Sequence, residues 1–479
     1  MSGCASHPNF VAVNSQNCVF QLRVDPVSLR KSIAHISITV PNTVRVFEAP
    51  ADYAGAPMFL QYLSNLTAVD SDGRSVPLKT VKNRLEMGST ASPTYALSYD
   101  YNVPQKVSGE VHKSLPTLDE AHGRFDNNLT FLLPLGAQNS PACLIIEAPK
   151  DWIVATSWGM ERTADAGKVS DLTSGMIVFG GYRFSDVKIG GMIVHFAIRG
   201  QLSDEILKKY FVKVFSVQKE LAGPLPAKEV LIVFQDGIPD KTAPGVCSGS
   251  ALTNSLIVDI PSSVQLEPFN FQAIGTISHE LFHLWNLRYV TSASEDGAYL
   301  FSEGFTNYFA VAALVRAQLI TAEQFARFLS NYRTLLEKNP KYPGTDYAAI
   351  QKGFSTDQNC LDLAYTKGPF VAVLLDIALR KDTNGVESLA SWFRALCGRF
   401  GGKKGYTVED LRALIAEKSG KSDGLAVKTF DQAFVGGEAL DLNGLFLELG
   451  VKCASPKNCT LDISDKKQVQ LRDAVFSAR

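Results

Sequence analysis

The stretch that most constrains this chain is "TISHELFHLWNLR", residues 276–288, which sets two histidines four residues apart with a glutamate directly after the first. On a helix, residues i and i+4 share a face with Cβ atoms roughly 5–6 Å apart. His279 and His283 can therefore each offer a ring nitrogen to one ion at about 2.0–2.1 Å. Glu280, one residue on, points off the ligand axis toward an attacking water, where a general base belongs. The same five letters also occur on ordinary helices, so the rest of the chain has to distinguish a zinc site from two unrelated histidines.

With 479 residues the chain exceeds what one core supports, and about 100–200 residues per domain implies two to four domains. It is 46% hydrophobic and 20% charged, as ordinary globular proteins are. A net charge of -1 gives no reason to expect nucleic acid or an anionic membrane as partner. No apolar run approaches the roughly 18 residues of a spanning helix, and "PFVAVLLDIAL" (369–379) has core-helix length. The N-terminus lacks the basic-then-apolar layout of a signal peptide. A soluble protein is expected, either cytoplasmic or in an oxidising compartment such as the periplasm, with oligomeric state open. Eight cysteines make no disulfide framework. Cys143, Cys247, Cys360 and Cys397 sit in apolar or mixed segments and read as small buried side chains. Cys453 and Cys459 bracket "ASPKN" and can close a small loop. Cys4, in "MSGCAS", resembles a lipoprotein attachment cysteine without its leader.

The first 200 residues read as β. "CVFQLRVDP" (18–26), "HISITVP" (35–41) and "YALSYDYNV" (95–103) alternate apolar and polar side chains, and short strands with polar turns suggest a sandwich-like domain. Near Ser203 the period changes: "SDEILKKYFVKVFSVQKELAG" has a cap, early acids and a closing glycine, so it is a helix. "EVLIVFQD" (229–236) and "SLIVDIP" (255–261) are strands; a helix from Phe271 to about Leu287 carries the histidines, and a second spans 299–318. From Thr321 onward the pattern is almost wholly helical. "TAEQ" and "TVED" are capping boxes, and Pro369 is read into a helix's first turn. The expected fold is α+β multidomain. Its parts are a β-rich N-terminal domain (1–200), a thermolysin-like catalytic domain (201–330), an all-helical domain (331–455) and a C-terminal tail (456–479).

Two histidines leave a tetrahedral zinc short of ligands. Glu303 follows His283 by 20 residues, inside "FSEGFTNYF" on the second helix, and is a candidate for the third. Gly304 beside it lets the two helices approach, and Asn307, one turn on, can accept a hydrogen bond from a ligating imidazole. The chain has seven histidines, at 7, 35, 112, 122, 195, 279 and 283, so the half after residue 195 holds only the motif pair. With no third histidine there, a tyrosine hydroxyl is the natural oxyanion donor, and "LAYTKGPF" (363–370) offers Tyr365.

At this point "HELFHLWNLR", "FSEGFTNYF" and "AYTKGPFVAVLLDIALR" together resemble the signatures of the glycyl aminopeptidase family, thermolysin-like gluzincin zinc metallopeptidases. "DLTSGMIVFGGYRF" and "FDQAFVGGEALDLNGLFLELGV" extend the resemblance over most of the chain. It implies one zinc held by His279, His283 and Glu303, Glu280 as general base, Tyr365 steadying the tetrahedral intermediate, and release of small N-terminal residues such as glycine or alanine from a peptide substrate. Trp285 and Asn286 also match, though packing and capping explain them equally well. The 28 residues after Val451 are too few for the PDZ domain that members often carry. In "APGVCSGSALTNSLIVDI", Ser248 stands where related aminopeptidases place the acid that holds the substrate ammonium, and a serine cannot pair a charged amine as a carboxylate does. Asp236 and Glu267 are substitute acids in sequence, and "SLIVDI" is expected to offer its edge to an extended peptide. The alternatives are a zinc endopeptidase, which needs no amine anchor, and a non-catalytic peptide-binding protein on a peptidase scaffold. The intact motif argues against the second.

Overall fold

The computed structural model describes residues 17–49, 59–104, 115–225, 227–236, 246–266, 270–294 and 298–479. Cys4 and Glu267 lie outside the described residues. The chain forms two compact units: residues 1–202 with 227–263, and residues 203–226 with 264–479. The architecture is α+β, and no helix among the described residues is long and apolar enough to cross a membrane.

The first unit is built of sheets. Cys18–Arg23, Ile33–Pro41 and Thr94–Asn102 lie side by side in a six-stranded sheet whose alternation buries Phe20, Leu22, Ile36, Ile38, Tyr95, Leu97, Tyr99 and Tyr101 on one face. A buried hydroxyl without a partner costs about 1–3 kcal/mol. Two of the tyrosines avoid that cost: Tyr95 donates to Val44 O (2.9 Å) and Tyr99 to Thr130 O (3.0 Å). Two four-stranded sheets and a mixed five-stranded sheet complete the unit. In the five-stranded sheet Glu229–Asp236 and Ser255–Ile260 run parallel, and Ser248–Leu252 closes one edge antiparallel to the latter. "SLIVDI" is thus an interior strand with both edges paired, contrary to the edge role expected of it, and its buried residues on both faces suit that place. The edge belongs to the strand that Ser248 opens, opposite Asp259.

Cys143 is disulfide-bonded, not the free buried thiol expected, whereas Cys18, Cys247, Cys360 and Cys397 are free and buried.

The second unit is helical. Asp204–Ala222 begins at Ser203, whose hydroxyl accepts from Ile206 N, and ends at Gly223 with φ 92°. The motif helix, Phe271–Phe282, is capped by Asn270 and stops earlier than expected. Beyond Phe282 the backbone widens, with Arg288, Tyr289 and Val290 donating five residues back. The second predicted helix is interrupted at Glu303, giving Tyr299–Ser302 and the glutamate helix Gly304–Arg316. Both predicted capping boxes form, at Thr321 and Thr407. Cys453 and Cys459 join the strands Val451–Ser455 and Asn458–Leu461, a hairpin that straddles the end of the region read as helical and the start of the expected tail. Lys466–Phe476 is a packed helix, with Val475 and Phe476 fully buried and Val475 O accepting from Tyr308 (2.8 Å).

Pro369 lies inside a 25-residue helix, Gln358–Asp382, not in a first turn. We call this the tyrosine helix. It crosses the glutamate helix backbone to backbone at Gly304 and Gly368: a Cβ on either would fall inside contact of the other's Cα, and one on Gly368 would also lie 2.8 Å from Leu300 O. Gly304 therefore serves approach to the tyrosine helix, not to the motif helix as expected. Alanine normally gains up to about 1 kcal/mol over glycine in a helix, while overpacking costs about 1–3 kcal/mol, and backbone atoms cannot swing aside. Gly368→Ala should therefore lower stability on denaturant unfolding; a variant as stable as the parent would show that the crossing tolerates a methyl.

Candidate metal centre

Glutamine, serine and backbone join three helices under the site. Gln218 Nε2 donates to Ser278 O (2.7 Å), and the Ser278 hydroxyl donates to Ala310 O (2.9 Å). That tie fixes the motif helix against the glutamate helix one residue before His279. His279 Nε2 then lies 3.2 Å and His283 Nε2 3.3 Å from Glu303 Oε2, and the two Nε2 atoms are 2.9 Å apart. Among the described residues these three side chains are the group able to hold a metal ion.

The other ring nitrogens decide which tautomers are present. His279 Nδ1 is 2.9 Å from Asn307 Oδ1, and His283 Nδ1 is 3.0 Å from the main-chain oxygen of Asn286. A carbonyl oxygen only accepts, so both Nδ1 atoms carry hydrogen, and in the neutral imidazoles both Nε2 atoms turn lone pairs inward. The widened turn after Phe282 leaves Asn286 O for His283, because Val290 N donates to Trp285 O instead. The side chain of Asn286 acts elsewhere. Fully buried, it donates to Phe301 O (3.2 Å) and Thr306 Oγ1 (3.1 Å), holding the segment on either side of Glu303. Sequence reasoning assigns Asn286 only packing and capping. Its place directly after the motif is the available signal, but the role needs the non-helical turn, which no spacing rule predicts.

Three tetrahedral ligands at about 2.0–2.1 Å from zinc stand roughly 3.3–3.4 Å apart. The observed separations of 2.9–3.3 Å approach that triangle, and the donor set of two imidazoles and a carboxylate suits zinc.

Two buried carboxylates flank the histidines, with opposite electrostatics. Burial pushes Glu280 up to about 7, aided by Glu303 and opposed by His279. Burial also acts on Glu303, but His283 and His279 outweigh it and hold that carboxyl well below the usual range. A bound dication would pull Glu280 back down. Tyr365, half-buried on the tyrosine helix, lies with its ring 6.1 Å from that of His279, centroid to centroid. The structure thus gathers His279, Glu280, His283, Glu303 and Tyr365 in one unit.

Residues 272–359, which hold the motif helix and Glu303, match the family model of the M61 glycyl aminopeptidases, and residues 21–172 match that of the M61 peptidase N-terminal domain. Tyr365 lies beyond the matched segments. No curated protein matches the chain. Among solved structures it is similar to an aminopeptidase N family protein from Idiomarina loihiensis (TM-score 0.75, 20% identity, covering 91% of this chain and 78% of that one). It is also similar to a mutant M1 zinc metallopeptidase from Deinococcus radiodurans bound to a Tyr-Ser-Ala substrate (TM-score 0.60, 17% identity, 89% and 95% covered). A two-domain M1 zinc metallopeptidase mutant bound to L-tryptophan gives a TM-score of 0.58 at 16% identity, with 89% and 95% covered. At these identities the likeness is one of fold.

The ligand geometry predicts one zinc per chain by elemental analysis of the purified protein, and its loss in Glu303→Ala, where two imidazoles remain. Full zinc content in that variant would mean the ion sits elsewhere.

Proposed function

The chain belongs to the M61 glycyl aminopeptidase family of zinc metallopeptidases, and from that premise we propose that it is an aminopeptidase releasing small N-terminal residues, glycine or alanine, from peptides. The observation that supports catalysis most directly is the convergence of His279 Nε2, His283 Nε2 and Glu303 Oε2 beside a buried Glu280. In this reading His279, His283 and Glu303 are the metal ligands, and Glu280 and Tyr365 the catalytic residues. A zinc ion held by these three ligands would lower the pKa of a bound water toward about 7 and polarise the scissile carbonyl.

The chain's own groups do the rest. Glu280 takes the attacking water's proton and delivers it to the leaving amine nitrogen, a transfer for which a carboxyl shielded from solvent is suited. The Tyr365 hydroxyl donates to the oxyanion that develops from the carbonyl, a charge present in the transition state and not in the substrate. Asn307 and Asn286 hold the two imidazoles with their lone pairs inward. Glu280→Gln keeps the shape and removes the base, so zinc should stay while kcat falls by roughly 10²–10⁴. Tyr365→Phe should lower kcat with little change in KM. Turnover at the parent rate in the first variant would remove Glu280 from the mechanism.

One feature of the sequence favours an endopeptidase: by resemblance, Ser248 stands where related aminopeptidases place the amine-holding acid. A lost charge-assisted hydrogen bond costs about 1.5–3 kcal/mol, or roughly 10- to 150-fold in affinity. Glycyl and alanyl peptides should be cleaved after their first residue, and N-acetylation should abolish that cleavage. Equal rates on the acetylated and free peptides would favour the endopeptidase.

A further inference from the structure

The tyrosine helix contains a proline where a helix is least tolerant of one. Pro369 has no N–H to give its i−4 acceptor, the carbonyl of Tyr365, and a proline ring crowds the carbonyl at that position. Asn307 Nδ2 donates to this oxygen across 3.3 Å, while Oδ1 of the same amide is 2.9 Å from His279 Nδ1. One buried side chain thus spans from a histidine of the metal site to the backbone of the catalytic tyrosine.

The two bonds are not independent. A main-chain carbonyl can only accept, so the amide must turn its nitrogen toward Tyr365 and its oxygen toward His279. With the opposite orientation, oxygen would face the Tyr365 oxygen, and the amide nitrogen would face the ring nitrogen. The carbonyl therefore selects the amide's orientation, and the amide selects the histidine's tautomer. The Gly304–Gly368 crossing makes the reach possible, since Asn307 sits one turn beyond Glu303 and donates its own N–H to Glu303 O (2.9 Å).

We propose that Pro369 is a positioning residue: by withholding the helix's own donor it commits the Tyr365 carbonyl to Asn307, and so fixes together the tautomer of His279 and the place of Tyr365. This rests on the proposed reading of the site, and it gives the helix-breaking residue a function that packing alone does not supply.

Alanine at 369 restores an N–H that competes with Asn307 for the carbonyl. Pro369→Ala should therefore keep or raise the thermal midpoint of the zinc-free protein, while zinc affinity, measured by chelator competition, falls about 10-fold, within the 10- to 100-fold range of lost support to a ligand. Its kcat should fall with KM little changed. Asn307→Asp still accepts from His279 but cannot donate to Tyr365 O, so it should hold zinc near the parent affinity and lose kcat. Combining the two should recover part of that kcat, because in the alanine background the carbonyl has its own donor. Parent zinc affinity and kcat in Pro369→Ala, or simple additivity of the two substitutions, would overturn the proposal. Loss of zinc from Glu303→Ala in the same assay separates that failure from a failure of the site itself, which retained zinc would signal.

Discussion

Three lone-pair-bearing atoms, His279 Nε2, His283 Nε2 and Glu303 Oε2, face one another across 2.9–3.3 Å, with the hydrogens of both Nδ1 atoms already committed elsewhere. Acceptors packed this closely in a buried site repel unless something positive lies between them, either a proton or a metal ion. The surrounding structure is arranged to hold them there. Gln218 and Ser278 bind one helix to the next, Asn286 secures the segment around Glu303, and the Gly304–Gly368 crossing brings in the tyrosine helix. None of these residues reaches the three atoms directly, yet each removes a freedom by which the cluster could relax.

The same burial has different consequences for the two glutamates. Glu303 has two imidazoles against it, and their charge and hydrogen bonds when protonated hold its carboxyl low. Glu280, one residue along the helix from His279, is as thoroughly buried, and desolvation dominates there. Carboxyls driven apart in this way are suited to separate roles, one to remain charged as a ligand and the other to exchange a proton. The contrast follows from the neighbours each carboxyl meets, not from any difference in residue type.

The group His279, His283 and Glu303 is legible in sequence because the histidines stand at i and i+4 on a helix and the glutamate falls in a family signature on the next, whereas Tyr365 is reached only by the lack of a further histidine and by resemblance. Strand alternation is equally plain, since burial on one face imposes it. The failures share a cause in contacts made through space. Nothing near Gly304 in sequence says that its neighbour is Gly368, and "SLIVDI" reads alike as an edge or an interior strand until its partners are known. The ordinary rule that puts proline in a first turn fails at Pro369, where a side chain from another helix meets the abandoned carbonyl. The units are hidden for a similar reason: Asp204–Ala222 belongs with the second unit although strands of the first follow it in sequence.

The stretch "YTKGP" (365–369) shows how much a short signature can hold. Tyr365 turns its ring toward His279, and the Thr366 hydroxyl donates back to Asp362 O (2.6 Å) within the helix. Lys367 is almost wholly buried, which pushes its ammonium down to about 8, and its Nζ donates to Gly436 O (2.7 Å), tying the tyrosine helix to the end of the turn Phe430–Val435. Gly368 admits the glutamate helix and Pro369 leaves the Tyr365 carbonyl to Asn307. Successive residues of a helix point about 100° apart, so five in a row face every side of it. A helix that must meet His279, the glutamate helix and the helices beyond at one level therefore has to place all its specialised residues within about a turn and a half. That requirement accounts for a motif this dense, and for its place at the level of the candidate metal centre.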